Sequence, residues 1–261
     1  MQERHSDRKR YFNEQAYITE KYILPYVENV LTITDGMTVG EIGCGEGGNL
    51  KPFLDKGCAI VGIDIATNKI QNAKRYYETD PNKSKTTFIA EDIYNINAED
   101  IESLDLILMR DTIEHIPDQE KFLGKLRSFL KPNGCVFFGF PPWRMPFGGH
   151  QQICETKILS ILPYYHLLPR KLYESILRLG ESDAKIQTLG EIKETGISIN
   201  TFKKYLYRNN YRIAKETFFL INPGYEAKFH LKPRKVPKLI AIPFIRDFYT
   251  TAYYCVVKLN N

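Results

Sequence analysis

The segment Val39-Gly40-Glu41-Ile42-Gly43-Cys44-Gly45-Glu46-Gly47-Gly48 constrains this chain more than any other. An apolar run, Met37–Gly43, gives way to a cluster of glycines. That pattern reads as a buried strand turning sharply into a helix, through backbone that tolerates positive φ and lets a ligand approach closely. Similar apolar runs follow at Cys58–Ile63, Thr86–Ala90, Leu104–Met109 and Cys135–Phe140. Between them lie helical patterns at Lys51–Lys56, at Thr67–Glu78 with Thr67 placed as N-cap, and at Asp118–Leu130. Strands alternating with helices at this spacing predict an α/β fold, a parallel sheet covered on both faces. Upstream, residues 14–31 form an expected helix kinked at Pro25. Beyond Phe140 the alternation stops. Residues 141–197 are rich in Pro, aromatic and basic side chains, and a helix (Asn200–Arg208) and two strand-like runs (Arg212–Ile221, Ala252–Leu259) follow. The expected organisation is an N-terminal helical segment (1–36), a core (37–140), a helical cap (141–197) and a C-terminal unit completing the sheet (198–261).

Gly43, Gly45 and Gly48 satisfy the dinucleotide pattern G-x-G-x-x-G, with Asp64 about 20 residues on. Spacing therefore does not choose between a nicotinamide dinucleotide and S-adenosylmethionine (SAM). Charge does. Glu41 immediately precedes the glycines, where it would repel a pyrophosphate. SAM has no phosphate, and its sulfonium and ammonium outweigh one carboxylate. Asp64, ending the second strand, can accept both ribose hydroxyls. Asp92, after the third, can accept from the adenine amino group, with Glu91 as an adjacent rival. Three acids at three successive strand ends form a cradle for a cation.

Val39–Gly47 (VGEIGCGEG), Val61–Asp64 (VGID), Glu91-Asp92-Ile93, Asp111–Pro117 (DTIEHIP) and Leu130–Gly134 (LKPNG) together resemble the class I SAM-dependent methyltransferases. The nearest likeness is to the broad bacterial type 11 group that includes ubiquinone O-methyltransferases. The resemblance covers residues 37–140 in order and spacing. It implies a Rossmann-like, mostly parallel sheet of seven strands with the last inserted antiparallel, SAM as methyl donor and S-adenosylhomocysteine as product. The expected cofactor set is Glu41, Gly43, Cys44, Gly45, Asp64, Ile65, Asp92, Ile93, Arg110 and Tyr11. Tyr11-Phe12 is read as preceding the first helix, either folding over the cofactor as the family's N-terminal segments do or serving ordinary packing.

Methyl transfer needs chiefly alignment, because the sulfonium already activates the methyl group; a base is needed when the acceptor is a hydroxyl. His115 is the first candidate base, since its ordinary pKa lies near 6.5, although the resemblance equally allows this motif simply to fix the loop and start the next helix. Glu114 and Asp111 precede it in a D-x-x-E-H spacing, and His150 of Gly148-Gly149-His150 could join them. Two carboxylates and two imidazoles would suit a divalent ion. Trp143, Phe147, Tyr164, Tyr165 and His166, with Arg144 and Arg170, could wall an acceptor pocket or form a small core of their own. Gly148-Gly149 suits a hinge or a close backbone approach. The leading expectation is a methyltransferase for a small-molecule, sugar or lipid-linked acceptor, at oxygen. Alternatives are a SAM-binding sensor or partner-activating subunit without turnover, a nicotinamide oxidoreductase and an RNA 2′-O-methyltransferase.

Composition limits partners and setting. The N-terminus lacks the apolar run of a signal peptide, and nothing approaches the roughly 20 apolar residues that cross a bilayer. Five scattered cysteines without CxxC spacing suit reduced thiols in a cytoplasm. Residues 1–140 carry 17 Lys/Arg against 22 Asp/Glu, and residues 141–261 carry 19 against 9. The basic half shows no nucleic-acid-binding module, so no nucleic-acid partner is expected. Lys228, Lys232, Arg234, Lys235 and Lys238 beside Ile240–Ile245 leave weak peripheral membrane association open, although core packing of that apolar stretch is the favoured expectation.

Overall fold

The computed structural model describes residues 7–260. Eight strands, β1 (Thr38–Ile42), β2 (Ala59–Asp64), β3 (Thr86–Ala90), β4 (Leu104–Arg110), β5 (Leu130–Phe140), β6 (Tyr211–Ile221), β7 (Arg234–Lys235) and β8 (Ala252–Leu259), form one sheet. The order is β3-β2-β1-β4-β5-β8-β6-β7. Strands β1 to β5 pair in parallel, and β8 inserts antiparallel between β5 and β6. The expected sheet of seven strands gains an eighth: β7, only two residues long, pairs antiparallel with the β6 edge. A pair of basic residues gives no apolar alternation by which to read a strand.

Period-two alternation divides the core in two. On one face Val39, Leu106, Leu108, Phe137, Tyr254 and Val256 pack with Phe12, Ile23, Leu24 and Val27 of the N-terminal segment. On the other, Ile42, Ile107, Met109, Val136, Phe138 and Tyr253 meet Phe122 and Leu126 of helix Gln119–Leu126 and Phe202 and Leu206 of helix Ile199–Arg208. Both faces are covered, so the central strands are buried almost throughout.

The N-terminal segment departs from its expected form. The helix starts at Arg8, capped by Asp7, whose carboxylate accepts from the Arg10 N–H (2.9 Å). Tyr11 and Phe12 therefore lie within the first helix rather than before it. The first six residues of the expected 1–36 unit lie outside the described residues. The helix passes into a π-helical turn (Thr19–Ile23) before continuing through Leu24–Glu28. The irregularity precedes Pro25, whose ring would meet the carbonyl four residues back in a regular α-helix. Thr67 is the first residue of its helix, not its N-cap; Ala66 holds that place, and its N–H is taken by Asp64 Oδ1 (2.8 Å).

The first helix lies directly on the glycine turn. A Cβ at Gly48 would fall inside contact distance of the Phe12 carbonyl and the Gln15 side chain. Gly48→Ala is expected to destabilise the protein by about 1–3 kcal/mol, the usual cost of forced overpacking. A thermal midpoint equal to wild type would show that this helix does not press on the turn.

Residues 141–197 fold as three helices, Lys157–Ile161, Arg170–Leu177 and Asp183–Thr195. Leu159, Tyr165, Tyr173, Leu177, Ile186 and Leu189 give them a small core of their own. No helix among the described residues is long and apolar enough to cross a membrane.

Candidate active site

The C-terminal ends of the parallel strands gather the polar groups. Gly43 has φ +74°, and a Cβ there would sit 2.5 Å from Thr112. Gly45 has φ +56°, and its Cβ direction is open except for Lys69 at 3.9 Å. Asp64 fixes the turn: its Oδ2 accepts from the Gly45 N–H (2.8 Å). Ile65, next along, is 72% exposed, an apolar surface beside a buried carboxylate. Cys44 points the other way and is buried beneath the turn, as is Ile93 in the core, so both can offer a ligand only main-chain groups. Asp92 is half-buried and accepts from the Tyr94 N–H (2.9 Å). Its rival Glu91 is exposed and bonded to the Asp92 N–H and to Asn95 (2.9 Å each).

Glu41 lies on the face of β1 beneath the first helix and is 1% exposed. Burial pushes its carboxyl up to about 8, against opposing help from Asn49 and Arg110. Asn49 Nδ2 donates to Glu41 Oε1 (2.6 Å), while Oε2 has no partner among the described residues. Asn49 Oδ1 accepts from Thr19 Oγ1 (2.8 Å) and from Arg110 Nη1 (3.0 Å). One amide thus ties the π-helical turn, the glycine turn and the end of β4 together. Tyr11 stands close to Arg110, Asp111, Arg8 and Glu41, and its hydroxyl pKa is raised mainly by burial. Arg8 closes this side with a bidentate pair to Glu46 (2.7 and 2.5 Å).

The loop after β4 carries the second group. Asp111 adopts φ +51°, and its half-exposed carboxylate lies 3.6 Å from Arg110 Nε. Glu114 is buried with neither oxygen partnered among the described residues, and burial, reinforced by Asp111, holds its carboxyl well above the ordinary range. The His115 and His150 rings stand 4.8 Å apart and nearly perpendicular (86°). Desolvation lowers both imidazoles, His150 to about 4. One donor atom from each of Glu114, His115 and His150 falls within 4.8 Å of the others. Of the four residues that could have joined around an ion, three converge; Asp111 stands outside the group, beside Arg110. His115 also lines a cleft of about 850 Å³ between the His115–Glu120 loop and helix Asp183–Thr195, with Ile192 and Tyr205 on its walls.

Trp143 and His166 do not face this cleft as free groups. His166 is fully buried, held by Gln151 (3.0 Å at Nδ1) and the Trp143 carbonyl (2.7 Å at Nε2). A Cβ on Gly148 or Gly149 would collide with Trp143 or His166, so the pair serves a close backbone approach. The sequence reading missed Asn49, Thr19 and Tyr254. The Tyr254 hydroxyl is buried, unpartnered among the described residues and close to Arg110 and Asp111. Asn49 left a faint signal, a polar residue following the glycines just before an apolar helix.

Residues 40–138 match the family model described as a methyltransferase domain. A ubiquinone biosynthesis O-methyltransferase of Bartonella bacilliformis is 29% identical over 197 residues, 71% of this chain and 73% of that protein. A protein of the same name from Coxiella burnetii is 31% identical over 116 residues, 44% of this chain and 47% of its own length. The chain thus spans nearly three quarters of the first relative but less than half of the second. Among solved structures, magnesium protoporphyrin IX methyltransferase of Synechocystis PCC 6803, with bound SAH, aligns over 94% of this chain and 84% of its own, at TM-score 0.55 and 15% identity. Geranyl diphosphate C-methyltransferase of Streptomyces coelicolor A3(2) aligns over 91% and 79%, at 0.55 and 12%. Those structural likenesses show the fold alone; the domain match over residues 40–138 and the O-methyltransferase relatives support a SAM-dependent methyltransferase.

Proposed function

We propose that the chain moves the methyl group of SAM to a hydroxyl oxygen of a small-molecule or lipid-linked acceptor entering the cleft beside His115. The observation that supports the choice of oxygen is the convergence of Glu114 and His150 on His115, which lines that cleft. Two imidazoles held neutral by desolvation can take a proton, which a poorly nucleophilic hydroxyl must lose as its oxygen attacks. The C–S bond breaks as the O–C bond forms, S-adenosylhomocysteine leaves, and the proton goes to the His115 imidazole. The O-methyltransferase relatives support the same choice. Residues 141–197 would cap the acceptor. A divalent ion fits the triple too, because Glu114 has two buried oxygens, unpartnered among the described residues, beside two neutral imidazoles. When bound, such an ion would acidify the acceptor hydroxyl.

For the cofactor we propose that Glu41 takes the ammonium and Arg110 the carboxylate of the methionine moiety, spaced by Asn49. Asp64 would take the ribose and Asp92 the adenine amino group, with Ile65 against the base. The separation of roles is testable with 5′-methylthioadenosine, which lacks the amino-acid end. Arg110→Met should weaken S-adenosylhomocysteine binding about 10-fold or more, as for a lost hydrogen bond to a charged group, and leave methylthioadenosine binding unchanged in calorimetry. Equal loss for both ligands would remove Arg110 from the carboxylate. The oxygen assignment is checked by incubating the protein with ¹³C-methyl SAM and a lipid extract. A methoxyl carbon resonance in the product is expected, and an N- or C-methyl resonance would overturn it.

A further inference from the structure

Between Glu226 and Asp247 the chain has no acidic residue, but it carries Lys228, Lys232, Arg234, Lys235, Lys238 and Arg246. The same interval leaves large apolar side chains in the open. Leu239 is 93% exposed, Phe244 60%, Ile245 55% and Ile242 51%, with Phe229 and Leu231 also exposed. The favoured expectation that Ile240–Ile245 packs into the core is therefore wrong. Pro237 before the stretch, Pro243 within it and a 3-10 turn (Lys238–Ile240) give it neither helix nor strand periodicity by which to bury one face.

The exposure is held in place. Arg246 is buried with its guanidinium 4.2 Å over the Phe218 ring, and buried Asp247 accepts from the Ile199 N–H (3.1 Å). The Arg246 N–H donates to the Ile242 carbonyl (2.9 Å), and the Tyr249 hydroxyl donates to the Ile240 carbonyl. At the other end, β7 pins Arg234 and Lys235 to the β6 edge. Phe244 adopts φ +68°, a conformation that bulky residues rarely take. So the segment is anchored on both sides while its apolar tips stay in water. The Tyr164 hydroxyl donates to the Phe248 carbonyl (2.9 Å), which joins the patch to a second group of exposed residues, Ile158, Ile161 and Leu162.

We infer that this face docks on an anionic phospholipid bilayer, with Leu239, Ile242, Phe244 and Ile245 entering the headgroup boundary and Lys232, Arg234, Lys235 and Lys238 against lipid phosphates. Charge complementarity selects that occupant. Basic residues are drawn to an anionic leaflet, and exposed Leu, Ile and Phe supply the apolar part. A second copy of the chain would bring the same cations against each other. The segment starts at the active site, for a Cβ on Gly224 would stand 3.2 Å from Arg110 Nη2. A lipid-linked acceptor would therefore be met from the docked side; that last point rests on the acceptor reading above, whereas docking does not.

The test is co-sedimentation of the full chain with phosphatidylglycerol–phosphatidylcholine vesicles and with phosphatidylcholine alone, at low and high salt. Binding to the anionic vesicles, weakened by salt, is expected. Leu239→Asp with Phe244→Asp should lower the bound fraction about 10-fold or more, with thermal midpoint and S-adenosylhomocysteine affinity unchanged. Lys232→Glu with Lys235→Glu should remove the salt-sensitive part. Wild type that stays in the supernatant, or an apolar double variant that binds as well as wild type, overturns the proposal. So does a sedimentation-velocity dimer that the apolar variant dissociates, which would make the face a self-association surface. A chain that binds vesicles but not SAM would refute the cofactor reading and leave this one standing.

Discussion

Glu41→Ala loses the cofactor by the largest margin of any single change, about 1.5–3 kcal/mol or more in calorimetric affinity, because an ammonium would face an empty buried site. The companion Glu41→Gln separates charge from shape. In the ligand-free protein, burial raises this carboxyl from 4.5 to about 8. Folding then favours the protonated form, so between those limits the native state holds more protons than the unfolded one. Stability contributed by this group is full below pH 4.5 and declines as pH rises toward 8, by at most about 1.4 kcal/mol per pH unit. Cofactor binding reverses the preference: the ammonium favours the carboxylate and a proton is released. Affinity should therefore rise from about pH 6 to 7.5, below the usual α-amino pKa of about 7.7–8.0, and heats should depend on the buffer. Glu41→Gln should bind weakly and flatten both dependences. A wild type whose affinity is flat over that range would mean that Glu41 is already ionised or does not meet the ammonium.

His115→Ala should lower kcat by about 10²- to 10⁴-fold, the usual contribution of a positioned base, while S-adenosylhomocysteine affinity stays as in wild type. Unchanged turnover would make His115 a packing residue. Metal content decides how the triple works. If Glu114, His115 and His150 hold a divalent ion, protein purified without chelator carries it, EDTA silences turnover, and Glu114→Gln loses the ion. If turnover survives EDTA while His115→Ala fails, the imidazole alone takes the proton. The two outcomes exclude each other, and binding measurements on the same variants guard against simple misfolding.

The parallel half of the fold was legible because its central strands are buried on both faces and its strand ends carry signals of their own. Glycines follow β1, and a carboxylate ends β2 and follows β3; the acids proposed to hold the cofactor come from that part of the chain. Local contacts decide such features, so local sequence reports them. What escaped reading is non-local. Asn49 acts through Thr19 and Arg110, which lie 30 and 61 positions away. Tyr254 reaches the site only because β8 slips between β5 and β6. Asp111 is left out of the His115 group although it shares a motif with Glu114. The D-x-x-E-H spacing could not reveal that its carboxylate lies beside Arg110. The apolar stretch Ile240–Ile245 shows the reverse error, for composition suggested burial where Pro237, Pro243 and neighbouring anchors enforce exposure.

The Tyr26 hydroxyl donates to the Tyr254 carbonyl (3.1 Å), across 228 positions of chain. This helix thus waits for a strand synthesised long after it, and β6 has no central neighbour until that strand arrives. Nascent chains stopped short of residue 252 would expose one flank of the sheet together with the underside of the N-terminal helices. Such intermediates would call on chaperones, and fusing a bulky tag close behind β8 would interfere with maturation more than one placed ahead of the first helix.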